Sequence, residues 1–83
     1  MMAAPSHVIP TLRHVLATRR REQGYSLRDV ASHSIVGFTQ LSRWENGHGT
    51  TNIDGVVDGY ATTLHVPARE LWAETFQLYL ENG

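Results

Sequence analysis

Arg19-Arg20-Arg21, Arg28 and Arg43 set guanidinium groups along the first half of an 83-residue chain that contains no lysine. A guanidinium is planar, permanently charged, and offers a fork of N–H donors that matches the paired oxygens of a phosphate or the acceptors on the edge of guanine. Arginine-only usage points either to bidentate contacts of that kind or, more blandly, to codon usage on solvated faces. The net charge is only -1, but it is unevenly divided. Through Gly49, Arg13, Arg19, Arg20, Arg21, Arg28 and Arg43 outnumber Glu22, Asp29 and Glu45; from Thr50 onward Arg69 stands alone against Asp54, Asp58, Glu70, Glu74 and Glu81. The chain therefore has a basic half and an acidic half, and its overall charge argues against a general polyanion binder.

Other chemistries find few residues to carry them. His7, His14, His33, His48 and His65 show no metal-ligand spacing, and the absence of cysteine removes disulfides and thiolate sites, which fits a reducing compartment. No nucleophile–base motif, glycine-rich phosphate loop or paired carboxylate is present, so neither an enzyme nor a cofactor, metal or small-molecule substrate is expected. No run approaches the roughly 18 apolar residues of a membrane span, and MMAAPSH lacks the basic-then-apolar order of a signal peptide. The expectation is a soluble cytoplasmic, nucleoid-associated protein without membrane contact. With no linkers, repeats or low-complexity tracts, residues 1–83 read as a single domain, at a size where one core supplies only about 3–5 kcal/mol.

Five helices fit the periodicity, and no alternating strand pattern competes. The first runs from Ser6 or Ile9 to Gln23, with Pro10 tolerable in its opening turn, Leu12, Val15 and Leu16 as its buried stripe, and Gly24 closing it. Ser26 with Asp29 three residues on forms a capping box for a short second helix that carries Leu27, Val30 and Ala31 and ends near His33 or Ser34. A third helix spans Gly37 to Asn46, burying Leu41 and Trp44, with Gly47 at the left-handed stop. Thr51 or Asn52 caps a fourth, whose Ile53, Val56, Val57, Tyr60, Ala61 and Leu64 form a one-sided stripe. Pro67 opens a fifth over 67–81, with Ala68, Leu71, Trp72, Thr75, Phe76 and Tyr79 on one face and Leu78 and Leu80 left over.

Two short helices joined by a tight turn, the second stopped by a cap and flanked by arginines, are the parts of a helix-turn-helix, here about 26–47. The stretch from Leu16 to Leu71 resembles the phage-repressor helix-turn-helix family, the Cro and lambda-repressor group also called the XRE family. The residues that carry the likeness are Leu16 and Arg20, Gly24-Tyr25-Ser26, Val30-Ala31, Leu41, Arg43, the Trp44-Glu45-Asn46-Gly47 run, and then Ala61, Leu64, Val66 and Leu71. About two-thirds of the chain is covered, and spacing and residue type agree together. The resemblance implies an all-α, compact five-helix lambda-repressor-like fold.

It also implies roles for residues. Base reading falls on Phe38, Thr39, Ser42 and Arg43, with Arg43 either bridging guanine O6 and N7 or contacting phosphate, Thr39 and Ser42 donating to a base or a phosphate, and Phe38 either against a thymine methyl or in the core. Gln40 suits a backbone contact. Phosphate anchoring falls on Arg19, Arg21, Arg28, Asn46 and His48, with the free amides that open the second helix. Glu45 pairs with Arg20, or stands as a solvated carboxylate; at a helix C-terminus a negative charge calls for some compensating partner. Leu27, where the family often places a polar contact, is expected to pack, and Arg13 either contacts phosphate or pairs within its own helix.

The turn departs from the family pattern. It has Ile35 where a glycine is usual and Gly37 where Ser or Thr usually caps. A β-branched residue resists positive φ, so the turn either takes another conformation or moves its glycine to position 37. Gly55 and Gly59, four apart in the fourth helix, mark either the close approach of a neighbour or chance.

The function implied is a sequence-specific regulator, a repressor that occupies a double-stranded DNA operator through the major groove with its third helix. Such domains bind as two-fold dimers on half-sites about 34 Å apart, and Trp72, Phe76, Tyr79 and Leu80 offer a homodimer surface unless they finish the core. The alternative is a protein-interaction module of the same fold, such as an antitoxin or anti-repressor component, that meets a protein partner through the acidic half.

Overall fold

Glycines and short polar residues set the breaks in this chain. The computed structural model describes residues 8–82, and in them the helices run α1 (Ile9–Glu22), α2 (Leu27–Ser32), α3 (Phe38–Glu45), α4 (Ile53–Leu64) and α5 (Ala68–Asn82), with no strand among the described residues. Of the two starts expected for α1, Ser6 lies outside the described residues, as does His7; Ile9 is the first helical residue, and Pro10 sits in the opening turn where no N–H is missed. Gly24 and Gly47 take φ of 79° and 103° and end α1 and α3 where a side chain would be strained. α4 ends less comfortably, on His65 at φ 60°, a left-handed position that costs a non-glycine residue about 1 kcal/mol.

The caps follow the sequence. Ser26 accepts from the Asp29 amide at 3.1 Å while the Asp29 carboxylate accepts from the Ser26 amide at 2.8 Å, a complete capping box. Asn52, the second of the two expected candidates, caps α4 by accepting from the Gly55 amide at 3.0 Å. A side chain at Gly55 would meet that capping amide at 2.6 Å, so the glycine leaves room for the cap.

One core joins the five helices. Leu12 and Leu16 of α1, Val30 of α2, Leu41 and Trp44 of α3, Val56, Val57, Tyr60, Ala61 and Leu64 of α4, and Leu71 of α5 are buried together, with Leu27 packed at the edge. Val36, in the turn between α2 and α3, is also buried, while its neighbour Ile35 is 84% exposed. The turn thus sends one apolar residue inward and the other to solvent.

That turn solves the missing glycine in its own way. Ile35 does not have positive φ, and Gly37 is not left-handed either: at φ -71° and ψ 165° it is the extended residue that precedes α3, with no side-chain cap. Ser34 takes over the tether. Its hydroxyl donates to the Gly55 carbonyl of α4 at 3.1 Å and accepts from the Val36 amide at 2.9 Å. Gly59 permits the approach, because a Cβ there would lie 2.6 Å from the Ser34 Cβ. His33 adds a second tie, its Nδ1 lying 3.0 Å from the Thr63 hydroxyl of α4.

These contacts give two opposite expectations for glycine. Gly59→Ala forces the turn off α4, at a cost of about 1–3 kcal/mol that exceeds the roughly 1 kcal/mol gained in helix propensity. Gly37→Ser meets nothing within 4 Å and supplies the absent cap, leaving stability unchanged or slightly higher. Thermal unfolding of both variants measures the difference; an unchanged melting temperature for Gly59→Ala contradicts the close approach.

Candidate nucleic-acid interface

α3 has eight residues, too few to hold a helix in water by themselves, so its direction is imposed from outside. Leu41 and Trp44, three apart, are 0% and 1% exposed and fix one face to the core. Trp44 lies 6.1 Å, ring centroid to ring centroid, from Tyr60 of α4. Its indole N–H finds no acceptor among the described residues, so the ring is held by packing and by the Arg13 guanidinium 5.2 Å from its centroid.

At the end of α3, Glu45 is gripped from two other helices. Arg20 of α1 makes a two-pronged pair with it, Nε to Oε2 at 3.0 Å and Nη2 to Oε1 at 2.9 Å, and spends a third donor on the Tyr25 carbonyl at 2.9 Å. The Tyr60 hydroxyl of α4 donates to the same carboxylate, and Arg21 stands 3.8 Å away. The Glu45 and Arg20 side chains are only 8% and 12% exposed. Burial pushes the Glu45 carboxyl up, but the hydrogen bonds from Arg20 and Tyr60 and the charges of Arg20 and Arg21 outweigh it and hold the group below its ordinary 4.5. Burial and the adjacent carboxylate push the Tyr60 phenol far above its ordinary 10.0. The hydrogen bond to Glu45 raises Arg20 further against its own desolvation. The expected Arg20–Glu45 pair is thus a buried triad with Tyr60.

Arg13 neither pairs within its own helix nor faces outward: Nε donates to the Trp44 carbonyl at 2.5 Å, and Nη2 reaches the His48 carbonyl at 3.5 Å. It thereby adds a donor to the Trp44 carbonyl, which also accepts the Gly47 amide at 3.1 Å, and ties the chain just beyond α3 back to α1. Sequence reasoning missed this role, as it missed Tyr60; the one available hint was that Arg13 and Leu16 lie one turn apart on the helix that carries Arg20.

With one face fixed, the other is free. Phe38, Thr39, Gln40 and Arg43 are exposed, and Ser42 is half-buried. Phe38 is therefore not a core residue; at 36% exposure it lies beneath Arg28 of α2, whose Cζ is 4.2 Å from the ring centroid. Gln40 and Arg43 form one wall of a shallow groove whose other wall is Gly49, Thr50 and Thr51 of the α3–α4 loop. Of the two threonines, Thr50 carries no signal in the sequence, and Thr51, an expected cap of α4, lines this wall while Asn52 makes the cap. Asn46 turns its amide back to the Ser42 carbonyl at 2.9 Å, and His48 is exposed beyond the stop. At α2 the Asp29 carboxylate sits in the capping box, so a negative group already occupies the place where opening amides were expected to meet phosphate.

Arg19 stands apart from this surface. It pairs with Glu74 at 2.9 Å and Glu70 at 3.2 Å, both on α5, and so joins α1 to α5. Of the C-terminal residues, Trp72 packs against the core and stacks on Phe76 at 5.8 Å; Phe76 and Leu80 are 47% and 76% exposed, and Tyr79 is half-buried. No helix among the described residues is long and apolar enough to cross a membrane.

The triad makes stability depend on pH at both ends. Because Glu45 is lowered in the fold, the unfolded chain takes up its proton first as pH falls: the contribution is complete above pH 4.5 and is lost progressively below it. Because Tyr60 is raised, the unfolded chain loses its proton first as pH rises, and stability declines above pH 10.0. Glu45→Gln should cost about 3 kcal/mol at neutral pH, the scale for breaking a buried pair, and flatten the acid limb; Tyr60→Phe should flatten the alkaline one. Urea unfolding between pH 3 and pH 11 reads both, and a Glu45→Gln variant as stable as the wild type at neutral pH contradicts the triad's role.

The family model described as helix-turn-helix matches residues 16–58, just over half of the chain, from the second half of α1 through the middle of α4. Comparison with curated proteins and with solved structures gave no match. The matched region contains Arg20, Glu45, the α2–α3 unit and the exposed face of α3. The chain belongs to the XRE-type helix-turn-helix family, the Cro and lambda-repressor group, and is a DNA-binding helix-turn-helix regulator.

Proposed function

We propose that this regulator represses transcription by occupying a double-stranded operator, with the exposed face of α3 in the major groove. The observation that carries the reading is the division of α3 itself: Leu41, Trp44 and Glu45 are held by the core and the triad, while Phe38, Thr39, Gln40 and Arg43 project away. An α-helix fits the major groove, and a helix that is fixed on one side and polar on the other arrives there with little ordering left to do.

In this reading Arg43 bridges guanine O6 and N7, Thr39 and Ser42 donate to or accept from neighbouring base edges, and Gln40 contacts the backbone beside the groove lined by Gly49, Thr50 and Thr51. Arg21, Arg28, Asn46 and His48 make the phosphate contacts. Arg19 is left out of that set, because Glu70 and Glu74 already engage it. Selection of bound sequences from a random duplex pool tests this directly. The wild type should converge on an inverted repeat, and Arg43→Ala should lose preference at one base position per half-site, weakening binding there by about 1–3 kcal/mol. No enrichment even at low salt sinks the operator reading.

A two-fold operator needs a two-fold protein, and a second copy docked on α5 is the arrangement we favour. Phe76 and Leu80 are the apolar side chains of that helix that the core leaves exposed. The same pair would serve a protein partner if the chain were an antitoxin or anti-repressor component. DNA is favoured because the acidity offered to such a partner is partly cancelled within the chain, by Arg19. Sedimentation of the wild type should give a dimer, and Phe76→Glu with Leu80→Glu a folded monomer of much lower operator affinity. A wild-type monomer at high micromolar concentration, alone and with DNA, rules the dimer out.

A further inference from the structure

Phe38 and Arg28 are awkward residues when taken separately. A phenyl ring is placed at the first helical position of α3, partly exposed and outside the core. A guanidinium is placed over it at 4.2 Å, with no hydrogen bond or ion pair to any of the described residues. Each explains the other. The cation is attracted to the face of the ring, and the ring is covered on that face and limited in its rotation.

We propose that Arg28 and Phe38 act as one unit that recognises the C5-methyl group of a pyrimidine in the major groove, Phe38 receiving the methyl and Arg28 positioning the ring. The inference rests on the placement of α3 in the groove proposed above. A phenyl ring has no donor or acceptor, so it discriminates only through apolar contact. Among the groups a base pair shows in the major groove, the C5-methyl is the apolar one. Phe38 is 36% exposed, so part of its ring stays open to solvent beside Arg28. A loose phenylalanine would have to be ordered on binding, and that loss would offset the gain from one methyl. Arg28 orders it beforehand, and with no hydrogen bond to the described residues it keeps its N–H donors for a phosphate or base acceptor nearby. Arg28 thereby acts on sequence preference through Phe38, beyond the uniform affinity a phosphate contact supplies.

Thymine and 5-methylcytosine share this chemistry, and modified duplexes separate them. In the operator selected by the wild type, the position that loses its preference in Phe38→Ala is remade with thymine, deoxyuridine, cytosine or 5-methylcytosine, and dissociation constants are measured by fluorescence anisotropy. The wild type should bind thymine over deoxyuridine by about fourfold, the scale of one buried methyl. An equal gain for 5-methylcytosine over cytosine assigns the recognition to the methyl alone, and no such gain assigns it to thymine. In Phe38→Ala and Arg28→Ala the thymine-to-deoxyuridine ratio should fall to about one, with folding verified by circular dichroism. A phosphate-only Arg28 predicts otherwise: Arg28→Ala would weaken both duplexes equally and keep the ratio, which overturns its positioning role. A wild type that selects an operator but binds all four duplexes alike overturns the methyl reading while leaving the operator reading intact. Failure of the selection itself removes both.

Discussion

Glu45 is a carboxylate at the negative end of a short helix, nearly buried, and alone it would be among the least favourable charges in the molecule. Its stability depends on Arg20 of α1 and Tyr60 of α4 reaching the same two oxygens. That requirement fixes three helices relative to one another. α3 cannot rotate without breaking the two-pronged pair, and α1 cannot slide without losing the third Arg20 donor to the Tyr25 carbonyl. The apolar core would tolerate small rotations of an eight-residue helix; the directional bonds at its end do not. Arg13 works at the same point from α1, by holding the Trp44 and His48 carbonyls. The aim of the exposed α3 face is thus set by polar contacts on the opposite side of the helix.

The run Arg19-Arg20-Arg21 shows why charge counted along a sequence misleads. Successive residues on a helix point about 100° apart, so three adjacent guanidinium groups serve three surfaces. Arg19 meets the glutamates of α5, Arg20 enters the triad, and Arg21 faces solvent beside Glu45. The half-exposed Arg19 pairs contribute little to stability; they bridge α1 and α5 beside the buried contacts of Leu12, Leu16 and Leu71. What looks like a single basic cluster is one joint between helices, one buried clamp, and one exposed charge at the rim of that clamp.

Local features of this fold were legible because their causes are local. The capping box at Ser26, the stop at Gly47, the Asn52 cap and the core stripe of α4 each follow from residues within one or two turns of one another. The Arg20–Glu45 pair became legible only through family resemblance, since 25 residues separate the partners. Tyr60 was read as a core residue, and it is one; its hydroxyl's role was hidden because burial of the ring explains the residue completely at the level of periodicity. The α2–α3 turn was the hardest part. Its departure at Ile35 was visible, but the remedy, Ser34 tied to α4 across Gly59, depends on the distance between two backbones that no spacing rule encodes. Spacing alone allows close approach or chance for Gly55 and Gly59; in the fold one glycine makes room for the Asn52 cap and the other for the Ser34 turn.

The way arginines are spent inside the fold bears on how the protein can distinguish DNA sequences. Arg13, Arg19 and Arg20 are engaged by carbonyls or carboxylates of the chain itself. The basic half therefore presents mainly Arg21, Arg28 and Arg43 to a polyanion, and the C-terminal half opposes it with a surplus of carboxylates. On the proposed mode of binding, few phosphate contacts would mean a shallow salt dependence and weak binding to arbitrary DNA. A larger fraction of the affinity for a proposed operator would then come from contacts that read bases. On the proposed docking of α3 in the major groove, the rigidity conferred on α3 by Glu45 would have a functional value: base-edge contacts are directional, and a helix held in place by buried bonds loses little entropy in making them.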